Sequence, residues 1–149
     1  LLRVFHPDEL TSFEISDLRI KLANGSVIRG YSADRPDRLR NARLAGAWVD
    51  ELAAMVRVDE VWRILGDAVG ESGQVFVATT PRPIRLLRKL ARVDDGSVVF
   101  RTGSTWDNAP NLSPQTLVRL RELYGGSRLG AQELDGVLFD DDDGVGAVG

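Results

Sequence analysis

Asp50 and Glu51 close a short apolar run, Ala45-Gly46-Ala47-Trp48-Val49, and two adjacent carboxylates in that setting have a definite chemistry. An ionised carboxylate only accepts hydrogen bonds. One can hold Mg²⁺, usually through its water shell, beside the phosphates of a nucleotide. The other can orient and deprotonate an attacking water. In that arrangement Asp50 takes the metal and Glu51 takes the water. The same residue pattern also describes a solvated strand end or helix start, so the elements around the pair must decide.

The apolar run reads as a buried parallel strand with the acids at its carboxyl end, where open α/β sheets bind their ligands. Upstream, Leu18, Ile20 and Leu22 alternate with Arg19 and Lys21; Asn24-Gly25 follows, then Val27, Ile28 and Tyr31. Alternation flanking Asn-Gly predicts a hairpin, because that dipeptide tolerates positive φ. Residues 32–43 are polar, arginine-rich and broken by Pro36, which predicts a loop or a short helix. Downstream, Val61, Ile64, Leu65 and Ala68 share one face of a helix over 59–69, with Asp59 as its N-cap. Gln74–Ala78 is a second strand and ends in Thr79-Thr80-Pro81. A helix over 84–92 turns Ile84, Leu87 and Ala91 inward, and 98–101 is a third strand. Ser113-Pro114 opens another helix with Leu117, Leu120 and Tyr124 on one face, stopped by Gly125-Gly126. A last helix covers 127–134, up to Gly136. Alternating strands and helices predict an α/β fold, a mostly parallel sheet flanked by helices, with the hairpin at its amino end.

Composition narrows the function classes. The 149 residues include no cysteine and a single histidine, His6, which leaves no disulfide framework, thiolate metal site or His cluster. The lack of cysteine fits a cytoplasmic protein; no apolar stretch is long enough to span a membrane, and no signal-peptide pattern opens the chain. The net charge of −3 hides an asymmetry, since residues 140–143 are four aspartates and the body is near neutral. Lys21 and Lys89 are the only lysines; the other basic residues are arginines. Arginine suits bidentate phosphate contacts, although biased base composition in a genome gives the same excess.

Four motifs in order carry a resemblance. They are Tyr31-Ser32-Ala33-Asp34-Arg35-Pro36-Asp37-Arg38-Leu39-Arg40 leading to Ala47-Trp48-Val49-Asp50-Glu51-Leu52-Ala53; Ala78-Thr79-Thr80-Pro81; Gly103-Ser104-Thr105-Trp106-Asp107-Asn108; and Tyr124 to Gly136. Together they resemble the Walker B region, the coupling motif and the closing stretch of the ATPase domain of phage terminase large subunits. The resemblance implies a partial RecA-like (ASCE) P-loop NTPase core, with ATP and Mg²⁺ as cofactors. It also implies a homo-oligomeric ring that works with a portal protein and a small terminase subunit to drive double-stranded DNA into a procapsid in the host cytoplasm. Carried over by position, Asp50 is the Mg²⁺ carboxylate and Glu51 the catalytic base. Thr79 and Thr80 form the coupling element that senses the γ-phosphate. Arg40, ten residues before Asp50, is the candidate arginine finger, with Arg38 its rival.

Two departures qualify it. Asn41 stands where the family has glycine after the arginine, and asparagine tolerates left-handed backbone better than most residues. No G-x-x-x-x-G-K-S or G-x-x-x-x-G-K-T occurs, so the cradle of backbone N–H groups and its lysine would lie upstream of the hairpin. Residues 1–136 are thus expected to be the C-terminal part of the ATPase domain. Residues 137–149 are expected to be a disordered acidic, glycine-rich tail where a linker to a nuclease domain would begin. Alone, the chain is expected neither to bind ATP tightly nor to hydrolyse it. Two alternatives are an inactive prophage remnant and a non-hydrolysing DNA-binding or assembly module. The latter is motivated by Arg85, Arg88, Lys89 and Arg92, which share a helix face, though an ordinary solvated face has the same pattern. Trp48 and Trp62 are expected in the core; Trp106 lies in a loop with its role open.

Overall fold

A computed structural model describes residues 4–140. Strands β1 (Leu10–Glu14), β2 (Arg19–Leu22) and β3 (Val27–Arg29) form an antiparallel sheet in that order. The hairpin falls where Asn24-Gly25 predicts it, but as a three-residue loop. Leu22 and Ser26 close it, Gly25 alone takes positive φ (87°), and the Asn24 side chain accepts the Ser26 N–H at 2.9 Å. Strand β1, paired with β2 through Phe13↔Ile20 and Glu14↔Arg19, extends the hairpin to three strands.

Strands β4 (Gly46–Asp50) and β5 (Gln74–Ala78) are parallel, with Trp48 opposite Phe76 and Asp50 opposite Ala78. Helix α1 (Val58–Val69) joins them, and α2 (Arg85–Ala91) follows. Alternation along β4 sends Val49 towards a core of Leu52, Ala53, Leu65, Val69, Leu86 and Leu87, with Ala47, Val75 and Val77 packed against it. All four residues expected on the inner face of α1 are buried. Residues 32–43 hold a 3-10 turn, Pro36–Leu39, whose Pro36 and Leu39 are buried as it packs on α1. The carboxyl third contains α3 (Pro114–Tyr124), capped by the Ser113 hydroxyl on the Thr116 N–H, and α4 (Arg128–Glu133), capped by Ser127. Leu117, Leu120 and Tyr124 do share a face of α3, but each is half-buried.

Several expectations are corrected. Trp48 is 66% exposed, because the strand's period of two turns it away from the helices and onto Phe76, edge-to-face at 6.3 Å. Trp62 is half-buried against the core, as expected. Asp59 is not the N-cap of α1; Arg57 is, with Asp59 in the first turn, where its charge favours the positive end of the helix dipole. In α2 the buried pair is Leu86 and Leu87, while Ala91 is exposed. Residues 98–101 form no strand; Val99 is 75% exposed and has no neighbouring strand to pair with. Of the expected tail, residues 137–140 are held in place. Val137 donates its N–H to Ala131, Leu138 packs on the core, and Asp140 pairs with Arg92 at 2.6 Å. Residues 141–149, with three of the four aspartates, lie outside the described residues.

Candidate active site

The parallel register of β4 and β5 decides which side chains meet. Asp50 and Ala78 are partners at the carboxyl end, so Asp50-Glu51 and Thr79-Thr80 leave the sheet side by side. The ladder continues one step further, with the Glu51 N–H donating to the Ala78 carbonyl at 2.8 Å. There the chain bends sharply: Glu51 has φ 52° and ψ 45°, the left-handed region. For a residue with a Cβ this costs about 1–2 kcal/mol and is found where surroundings over-determine it, often at functional sites. The bend carries the chain into a 3-10 turn, Leu52–Ala54, anchored by Leu52 with no exposed surface. Both carboxylates stay exposed at the rim.

Thr79, the residue after the other strand, closes this turn. Its Oγ1 accepts the Ala53 N–H at 3.0 Å and donates to the Thr80 carbonyl at 3.1 Å. That hydrogen bond, across 26 residues, was not foreseeable from the motifs; a threonine following a buried strand was the only hint.

Arg40 is held elsewhere. Its Nε donates to Asp37 Oδ1 at 2.6 Å and its Nη2 lies 3.4 Å from Glu60 Oε1, which shares its carboxylate with Arg57 at 2.5 Å. The guanidinium and its hydrogen bond lower the Asp37 pKa, and Asp37 raises that of Arg40. Arg40 also borders an open cleft with Ala45, Asp67 and Gly70, at the amino end of β4 and hence opposite to Asp50. Asn41 keeps the turn without left-handed backbone, as Ala42 donates to Leu39 at 2.9 Å. Among the described residues no group of three or more His, Cys, Asp or Glu could hold a metal. A single exposed carboxylate fits Mg²⁺, which keeps several waters and takes phosphate oxygens, and does not fit an all-protein cation cage.

The third and fourth motifs meet in a second cluster. Trp106 Nε1 donates to Asp135 Oδ1 at 2.8 Å, and Arg121 of α3 lies 5.3 Å over its ring. Ser104 Oγ and the Thr105 N–H both donate to the Leu134 carbonyl, at 3.1 and 2.7 Å. Gly136, at φ 70°, passes so close to Gly103 that a Cβ would lie 2.6 Å from its carbonyl oxygen. Trp106, in a 3-10 helix over Thr105–Asn111 rather than the expected loop, is thus a clasp residue, a role that the sequence left open.

A family model described as terminase large subunit, T4likevirus-type, N-terminal, matches residues 5–146. The chain belongs to the terminase large subunit family. Two solved structures are similar. One is the large terminase ATPase domain of Thermus phage P74-26, at TM-score 0.54 and 19% identity, covering 93% of this chain. The other is an arginine-to-alanine mutant of that domain, at TM-score 0.52 and 18% identity, covering 89%. The terminase chain described here spans 66% and 65% of those two domains. No curated protein sequence matches significantly. The likeness gives the fold, an α/β arrangement with a parallel strand pair flanked by helices, with which a partial RecA-like core is consistent. Among the described residues no helix is long and apolar enough to cross a membrane.

Proposed function

We propose that this terminase segment supplies the acidic and coupling half of an ATP site that powers packaging of double-stranded viral DNA. One observation carries the reading: Asp50 and Ala78 are register partners, so the carboxylates and the threonines emerge together from the carboxyl end of a parallel strand pair. That is where α/β sheets bind ligands. In this reading Asp50 is the Walker B residue that would hold Mg²⁺ through water. When bound, the cation neutralises charge on the β and γ phosphates. Glu51 accepts the proton of the attacking water, and its exposed carboxylate at the rim is open to that water. Thr79 and Thr80 form the coupling element. Arg40, engaged by Asp37 and Glu60 away from Asp50, fits a finger that serves the nucleotide of a neighbouring copy in a ring. Residues 1–136 are the C-terminal part of the ATPase domain, and the phosphate cradle comes from sequence these residues do not contain. Portal protein and small subunit are the partners this role entails, in the host cytoplasm.

The test uses a terminase large subunit that carries this segment together with a phosphate loop. Glu51→Gln should leave ATP binding intact and lower turnover by about 100-fold or more. Unchanged turnover removes Glu51 from the base role and favours a non-hydrolysing module, whose exposed Arg85 and Lys89 on α2 would contact DNA phosphates.

A further inference from the structure

Glu51 keeps its left-handed backbone because the turn around it is tied at three points. Its own N–H donates to the Ala78 carbonyl at 2.8 Å, and its carbonyl accepts the Ala54 N–H at 2.9 Å. Both are main-chain bonds that any residue could make. The third differs: the half-buried Thr79 hydroxyl accepts the Ala53 N–H at 3.0 Å, two residues beyond Glu51. Its proton is committed to the Thr80 carbonyl at 3.1 Å, so the hydroxyl has a fixed orientation. Leu52, between Glu51 and Ala53, is fully enclosed. The turn therefore pivots on a buried anchor, and a single side chain just past the end of β5 sets its angle.

We infer that Thr79 is the positioning residue for Glu51, acting through the backbone of the turn rather than on a phosphate. Losing the hydroxyl leaves the Ala53 N–H, at a residue only 8% exposed, without its acceptor. The turn then relaxes and the Glu51 carboxylate loses its direction, which for a proton acceptor means loss of the near-attack geometry. The same bond works in reverse. Any shift of residues 79–80 reaches Glu51 through Ala53, so the coupling passes along a stated atom pair. Thr80 contributes only its carbonyl, which any residue would supply. This inference rests on the reading of Glu51 as the base and adds what aims it.

Thr79→Val removes the hydroxyl and keeps the shape; Thr79→Ser keeps the hydroxyl; Thr79→Ala serves where valine does not fold. The first readout needs only the 149-residue chain. Amide hydrogen exchange at Ala53 should quicken about five- to tenfold in Thr79→Val, stay within about twofold in Thr79→Ser, and be unaltered at Leu65 in α1. Unchanged exchange at Ala53 overturns the inference. The second readout is ATP turnover in a terminase carrying this segment with a phosphate loop. Thr79→Val should lower kcat by about tenfold with KM for ATP within about twofold, and Thr79→Ser should restore it. A raised KM with unaltered kcat would mean that Thr79 touches the nucleotide, and would also overturn it. If Glu51→Gln stops turnover and Thr79→Val leaves kcat unaltered, the positioning role alone fails. If neither lowers turnover, the base assignment of Glu51 fails with it.

Discussion

The acidic end of the β4–β5 pair and the clasp around Trp106 are held by different forces. At the acidic end the turn is rooted in apolar burial: Val49, Leu52, Ala53, Leu65, Leu86 and Leu87 form one cluster, with Leu52 fully enclosed. In the clasp, α3 has no buried residue and α4 buries only Gly130. What joins the clasp is polar and aromatic: Trp106 on Asp135, Arg121 over the indole, and Ser104 and Thr105 on the Leu134 carbonyl. The difference teaches where strain is affordable. A left-handed glutamate needs neighbours that over-determine its backbone, and only the first region has them. In the clasp the positive-φ positions, Gly126 and Gly136, are glycines, for which that geometry carries no steric penalty.

The comparison predicts unequal responses to truncation. Leu52→Ala should lower the unfolding free energy of the chain by about 3 kcal/mol, the ordinary cost of emptying an enclosed leucine site. Urea denaturation followed by tryptophan fluorescence would measure it. Asp135→Ala should cost about 1 kcal/mol, the scale of one exposed hydrogen bond to an indole N–H. Its effect should be local, seen as faster amide exchange over 104–106 and 134–137 while β4 and β5 stay protected. Equal costs for the two substitutions would break the distinction between the regions.

Much of the first region was legible and much of the second was not, for physical reasons. Periodicity over α1 is a local signal, and Val61, Ile64, Leu65 and Ala68 are all buried. The strand ends were legible because the apolar runs give way to polar residues, at Asp50 and after Ala78. Burial on both faces was not legible: Trp48 was read as core, but an apolar run does not say whether anything covers its second face, and Trp48 and Phe76 remain exposed. The stretch 98–101 misled because Val98 and Val99 have strand propensity without a partner, and pairing is a tertiary property. Contacts such as Thr79 to Ala53, Arg40 to Glu60 and Trp106 to Asp135 join residues 20 to 29 positions apart. No local pattern encodes them. Thr79 and Arg40 were singled out by motif, while what each touches required the fold.

The smallest expected effect is the most diagnostic of strain. If the surroundings force Glu51 into φ 52°, glycine at that position relieves about 1–2 kcal/mol of steric penalty. Against this stands glycine's larger loss of chain entropy on folding, about 0.5–1 kcal/mol. The difference favours the substitution: Glu51→Gly should stabilise the chain by about 0.5–1 kcal/mol, read as a higher urea midpoint at unchanged slope. Most substitutions destabilise, so a gain at an acidic rim residue would mark a backbone kept against its own preference for the sake of its carboxylate. A loss of stability would mean that Glu51 is comfortable where it lies. The case for a turn held under tension by Leu52 and Thr79 would then fall, whatever the carboxylate does to water.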